Sequence, residues 1–399
     1  MRGALALLAL AIAAQADARA RDLGIPFEGK PGPLNAITDV NGVEVGQETL
    51  IEGEGPLKVG VGPIRTGVTV VLPRGRADGR AVYGGFFDLN GNGEMTGRAY
   101  LEDFGIVQGP IGLTDSNAIG QVYAGIQQWS SKRTGAATWP VVAETWSGYL
   151  NDIEGFHVTA ETAMAALDSA KAGPVQEGNV GGGTGMVCFG FKGGIGTASR
   201  VVSVDGKGYT VGVLVQCNTG DRKVLRIAGA PAGQALAKRW LRCFDAKVAR
   251  ASSDLPPCAA DGMRGTPTPD EGSIIIVVAT DAPLTPLQLN RVARRAAMGL
   301  ARLGSYSGNQ SGDLIVSFST AAPEVNAAEQ GKPSPISPLG NLAIDPLFEG
   351  ATEATEEAIV NALVAARTMT GINGTRVYGI PHDELRSILK RYNRLEASK

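Results

Sequence analysis

Ser273 is the residue whose type and placement point most directly to covalent chemistry. It follows Gly272, which closes an irregular stretch (251–272, ASSDLPPCAADGMRGTPTPDEG), and it opens the most strongly β-forming run of the chain, SIIIVVA. A Gly–Ser junction between a loop and a buried strand suits intramolecular peptide cleavage, because glycine adopts backbone conformations that a side chain forbids. Cleavage there would leave a hydroxyl and a free α-amine on one residue. An α-amine titrates at about 8, so it can act as a base without histidine. The chain has only two histidines, His157 and His382. A His-rich metal site is therefore excluded, and a Ser-His-Asp triad could draw on just one of them. The plain alternative is a serine that merely begins a strand.

Other polar residues stand where they could serve such a nucleophile. Asn218 ends an apolar run, and its amide could donate to an oxyanion or form a turn with Thr219 and Gly220. Ser311 and Asp313 are two residues apart at the entry to a strand, a spacing that puts both on one face, though a polar turn reads the same way. Glu144 lies in the apolar context VVAE. A carboxylate beside a pocket can pair with an ammonium group, while a surface Glu144 and a core Trp146 are the ordinary readings. Two patterns fail their own tests. Residues 88–93 (DLNGNG) open like a calcium loop, but the bidentate glutamate required at position 12 is Ala99. The Gly-rich run 178–196 holds neither a dinucleotide fingerprint nor a phosphate loop, and reads instead as tight turns and close backbone approach.

The elements that must hold these residues alternate between strands and helices, with no repeat at a fixed period. Residues 66–72, 209–216, 273–279 and 313–318 read as buried strands. Thr285 can cap a helix with Pro286 at its first position, followed by an apolar stripe of Leu289, Val292, Ala293, Ala296, Leu300 and Leu303. A second helix is expected from about Thr352 to Thr368, with Glu353, Glu356 and Glu357 favouring its N-terminal end. The stretch 251–272 should be exposed and open to proteolysis.

The chain has 399 residues, 43% of them apolar, and a formal net charge of −2 from 37 basic and 39 acidic side chains. Such a balance gives no nucleic-acid footprint. Arg2 and the apolar run from Ala4 to Ala14 form the first parts of an export signal, with small-x-small cleavage sites at 14–16 and 18–20. The run is too short for a membrane anchor, and nothing later reaches eighteen apolar residues. Residues 1–20 are thus expected to be a signal peptide and the protein to be exported, an N-terminal core helix being the lesser reading of the same run. Export permits a Cys243–Cys258 disulfide, whereas Cys188 and Cys217, in apolar strand-like segments, read as buried free thiols.

Taken together, eight ordered blocks resemble the self-processing β-peptidyl aminopeptidases and L-aminopeptidase/D-amino-acid esterases-amidases. They are NGNGEMTG (90–97), PIGLT (110–114), PVVAET (140–145), GNVGGGTG (178–185), FKGGIG (191–196), VLVQCN (213–218), Gly272-Ser273 and Ser311-Gly312-Asp313. The resemblance implies an α/β fold, a four-layer α/β/β/α sandwich like that of N-terminal-nucleophile hydrolases but with different strand connectivity. It implies one catalytic domain, 21–399, that cleaves itself between Gly272 and Ser273 into chains 21–272 and 273–399. Ser273 would be the nucleophile, Asn218 the oxyanion donor, Ser311 and Asp313 its hydrogen-bonded partners, and Glu144 and Trp146 the anchor and wall of the substrate pocket. The activity implied is removal of N-terminal residues, β-amino acids foremost, from short peptides and amides, without cofactor or metal, by a homo-oligomer that is periplasmic or otherwise exported. The alternatives are an L-aminopeptidase/D-amino-acid esterase-amidase, an oligoamide hydrolase, or an exported binding protein that never cleaves. The stretch between Asn218 and Ser273 is longer than the family pattern leads one to expect.

Overall fold

The computed structural model describes residues 18–248, 255–268, 272–321, 325, 331–332 and 337–396. The strands, in chain order, begin with β1 (Glu44–Glu52), β2 (Ile64–Leu72), β3 (Val82–Gly91), β4 (Ile106–Val107), β5 (Ile111–Asp115) and β6 (Val141–Thr145). After them come β7 (Val187–Cys188), β8 (Phe191–Lys192), β9 (Gly194–Val204), β10 (Lys207–Asn218), β11 (Cys243–Phe244), β12 (Ser273–Thr280), β13 (Gly312–Ser319), β14 (Met369–Thr370) and β15 (Thr375–Val377). Helices are α1 (Arg98–Phe104), α2 (Ile119–Thr134), α3 (Ala160–Ser169), α4 (Ala232–Ala235), α5 (Pro286–Arg302), α6 (Asp345–Ala365) and α7 (His382–Arg391).

Two sheets face each other. One runs β1-β2-β5-β6 and the other β4-β3-β13-β12-β10-β9. Alternation along each strand sends successive side chains into different layers. On β12, Ile275, Val277 and Ala279 meet Leu113, Val141 and Ala143 of the first sheet, whereas Ile274, Ile276 and Val278 face Leu289, Val292 and Ala358 of α5 and α6. On the outer side of the first sheet, Val68, Val70 and Leu72 pack against Val122 and Ile126 of α2 and Ala163 and Leu167 of α3. The result is the expected α/β/β/α stack. Because β12 is buried on both faces, it reads as an unbroken apolar run rather than an alternating one.

Helix α5 starts as its sequence predicts. Thr285 accepts the Gln288 N–H at 3.2 Å, Pro286 takes the first turn, and the whole apolar stripe is buried. Helix α6 departs from expectation. It begins at Asp345, with Pro346 in its first turn, and so places the glutamates well inside the helix. They do not serve a helix terminus. Glu353 and Glu357 both reach the buried Arg200, at 3.2 and 2.8 Å, and Glu357 also holds Arg21 at 2.7 Å. Of the expected signal peptide, residues 1–17 lie outside the described residues. Arg19 pairs with the buried Glu177 at 2.6 Å, and the N–H of fully buried Ala20 donates to Asn361.

The stretch expected to be a free loop is tied down where it is described. Cys258 is bonded to Cys243, Pro257 bridges to Phe244 and Thr266 to Arg242, while β11 pairs with β15. A disulfide and short ladder bonds supply order that hydrophobic periodicity did not announce.

Candidate active site

Register places the nucleophile candidate. Strand β12 lies between β10, antiparallel, and β13, parallel, with Ser273 opposite Asn218 on one side and Gly312 on the other. Ser273 has the parity of Ile275 and Val277, so its hydroxyl faces the space between the sheets. There it opens into a cleft of about 650 Å³ shared with Asn92, Ser116, Glu144, Trp146 and the loop residues Asn309 and Gln310. Neither histidine lines this cleft: His157 pairs with Asp152, and His382 contacts the Val364 carbonyl.

Two glycines beside Ser273 are required for room. A Cβ on Gly272 would fall 1.8 Å from the Asn218 carbonyl oxygen. On Gly312 it would fall 2.3 Å from the Asn92 carbonyl and 2.9 Å from Ser273 Oγ. The Gly312 N–H donates to the Gly272 carbonyl at 3.0 Å, so the peptide group preceding Ser273 is held and polarised by β13.

Asn218 is fixed at both ends of its amide. Its Oδ1 accepts the Val187 N–H at 2.7 Å, and its Nδ2 donates to the Trp146 carbonyl at 2.9 Å. One Nδ2 proton remains for a substrate oxygen. The segment presenting Val187 is braced twice. Cys188 is bonded to Cys217, next to Asn218, which corrects the expectation of two free thiols. The β7-β8 hairpin brings the two segments together, a contact across 29 positions that local pattern does not encode. Beneath it, the buried Lys192 donates to the carbonyls of Gly183, Met186 and Gly193, and burial holds its pKa well below the usual lysine range.

Glu144 reaches the same cleft from β6. One carboxylate oxygen accepts the Glu94 N–H at 3.2 Å and the other a short hydrogen bond from Ser116. Burial pushes its pKa above the ordinary value, a partial offset coming from these donors. Trp146 is 40% exposed, its ring edge-on to Tyr149, so it forms the rim of the cleft rather than part of the core.

Ser311 donates to Asp313 at 2.8 Å, and Thr219 Oγ1 lies 3.1 Å from Ser311 Oγ. All three are buried. As the spacing predicts, Ser311 and Asp313 share a face. Their parity on β13 is that of Ile315, toward the helices, opposite to the face carrying Ser273 Oγ.

The model of peptidase family S58 matches residues 35–377. The chain belongs to that family. It is 53% identical over 393 residues to the β-peptidyl aminopeptidase BapA of Sphingosinicella microcystinivorans, covering 98% of this chain and 96% of that protein. It is 47% identical to the enzyme of the same name from Sphingosinicella xenopeptidilytica, covering 95% and 93%. A solved structure from Ochrobactrum anthropi superposes with a TM-score of 0.81 at 42% identity, covering 94% of this chain and 99% of that one. That protein is an L-aminopeptidase D-Ala-esterase/amidase, described as a prototype of the serine aminopeptidases and a variant of the Ntn-hydrolase fold.

Several residues of this S58 site carried no role in the sequence reading. Asn90 and Asn92 look like the ligands of a calcium loop, yet their amides donate to the carbonyls of Gly308 and Gln310, at 2.7 and 2.6 Å. They clamp the loop that brings Asn309 and Gln310 to the cleft. Ser116 follows the 110–114 block by two positions, and Gly312 sits inside the quoted Ser-Gly-Asp. The blocks marked the neighbourhood, but contacts between distant segments assign the tasks.

Proposed function

We propose that this S58 peptidase is an exported, self-processing serine aminopeptidase that removes N-terminal residues, β-amino acids foremost, from short peptides and amides. The observation that carries the reading is the position of Ser273. It opens a buried strand at the floor of a cleft, behind a glycine with no room for a side chain, with Asn218 on one side and Glu144 across the space.

In self-cleavage, Ser273 Oγ attacks the Gly272 carbonyl carbon. The C–N bond breaks as the hydroxyl proton passes to nitrogen, and water hydrolyses the resulting ester to a Gly272 carboxylate. The freed α-amine then takes the proton of Ser273 Oγ as that oxygen attacks a substrate carbonyl. Asn218 Nδ2 donates to the oxyanion, the leaving amine departs with the proton, and water resolves the acyl-enzyme. Glu144 pairs with the substrate ammonium and so restricts the enzyme to free N-termini. Two β-peptidyl relatives at 53% and 47% identity support the β-amino-acid preference. Export removes the signal peptide at the 14–16 or the 18–20 site, the first of which would retain Arg19, the partner of buried Glu177, and assembly into a homo-oligomer of αβ units completes the proposal.

The deciding experiment compares intact masses of the wild-type chain and Ser273→Ala under denaturing conditions. Two wild-type fragments meeting at Gly272/Ser273, with the variant unsplit, are expected. An uncut wild-type chain would leave a binding scaffold as the reading. Turnover of β-alanyl, L-aminoacyl and D-aminoacyl amides then sets the substrate class, and faster hydrolysis of the L- or D-α-amides would move the enzyme to the esterase-amidase branch.

A further inference from the structure

Thr219 has a buried hydroxyl to which neither the sequence nor the mechanism above gives a task. Extending both ladders by one residue beyond the Asn218–Ser273–Gly312 row puts Thr219, Gly272 and Ser311 in the next row, with Gly272 in the middle. The close approaches agree with this placement. A Cβ on Gly272 would sit 2.9 Å from Thr219 Cα, and the Gly272 carbonyl takes the N–H of the residue after Ser311. The contact between Thr219 Oγ1 and Ser311 Oγ, 3.1 Å, therefore crosses the chain at the residue that precedes the nucleophile.

The direction of that bond follows from proton count. A hydroxyl has one proton to donate, and Ser311 gives its own to Asp313 Oδ1. Thr219 is then the donor and Ser311 the acceptor, so the line runs Thr219 to Ser311 to Asp313. This row points toward the helices, as Cys217 and Ile274 do, while Ser273 Oγ points between the sheets. The atom of Ser273 that lies between the two faces is its backbone nitrogen, which self-cleavage turns into the α-amine.

We propose that Thr219 is a positioning residue for that amine. By donating to Ser311 it keeps the Ser311 proton on Asp313, so that Ser311 offers its remaining lone pair to the amino group and holds it in place to act on Ser273 Oγ. The assignment rests on the self-processing reading.

Thr219→Val preserves shape and removes the proton donor, while Thr219→Ser restores the donor and removes a methyl. Full-length wild type and both variants are expressed, checked for equal thermal unfolding, and followed by intact mass for the rate of splitting. The split enzymes are then assayed for kcat and KM on a β-alanyl amide. Once split, the valine variant is expected to lose about tenfold in kcat with KM nearly unchanged, as loss of one oriented hydrogen bond implies, and serine is expected to restore kcat. A valine variant as fast as a splitting wild type overturns the assignment alone, as does a serine variant no faster than valine. A wild-type chain that never splits overturns the processing reading and this assignment with it.

Discussion

Among the described residues, the Glu94 N–H and Ser116 hold Glu144 in the cleft, and burial raises its pKa. An ionised carboxylate binds a substrate ammonium and a protonated one does not. Because burial lifts the folded pKa above the ordinary carboxylate value, ammonium binding weakens at a higher pH than an exposed carboxylate would require, as acid carries Glu144 through that raised pKa. KM for an aminoacyl amide should therefore climb on the acid side while kcat changes less, and Glu144→Gln should raise KM at all pH values and remove that acid limb. An unchanged acid limb in the variant would assign the titration elsewhere. At this scale the sequence singles out residue types and is silent about how they are held. The carboxylate in VVAE was legible, whereas Ser116 and the Glu94 N–H reach it only through folding of β5, β6 and the loop after β3.

Among the elements, β12 was the easiest to find and its neighbours the hardest to order. Its run of Ile and Val states that both faces are buried, but no local signal says that β10 and β13 flank it, and that order alone puts Asn218 and Gly312 beside Ser273. The Cys188–Cys217 bond was misread for the same reason, since its partners lie far apart in sequence and neither sits in a disulfide-like motif. It joins the hairpin that holds Asn218 Oδ1 to the strand that carries Asn218. Replacing both cysteines by alanine should cost about 3–4 kcal/mol through the loop that the bond closes. It should also lower kcat more than it changes KM, because Asn218 loses its brace while Glu144 does not. Urea unfolding and steady-state kinetics on the purified double variant check both. A loss of stability with kcat intact would show that the Val187 N–H suffices to aim the amide.

Stacking two sheets between helix layers places polar groups where water cannot follow, and this leaves a mark on the stability of the whole molecule. Asp115 ends β5 beside the cleft, fully enclosed, with Thr66 donating to it through a short hydrogen bond and Asn151 at 3.4 Å. Burial outweighs these donors and pushes its pKa up to about 6, from 3.8. Between those values the native state holds a proton that the unfolded chain has released. The resulting contribution to stability is full below about pH 4 and is lost as pH rises through about 6, some 3 kcal/mol in all at about 1.4 kcal/mol per pH unit. Asparagine mimics the protonated side chain, keeps an acceptor for Thr66 and does not titrate. Asp115→Asn should therefore gain on the wild type as the pH rises from about 4 through about 6, with the gap in urea midpoints widening over that interval and flat above it. A constant gap would mean that the enclosed carboxylate exchanges with solvent in the native state, and that the cleft floor beneath Ser116 is wetter than its packing implies.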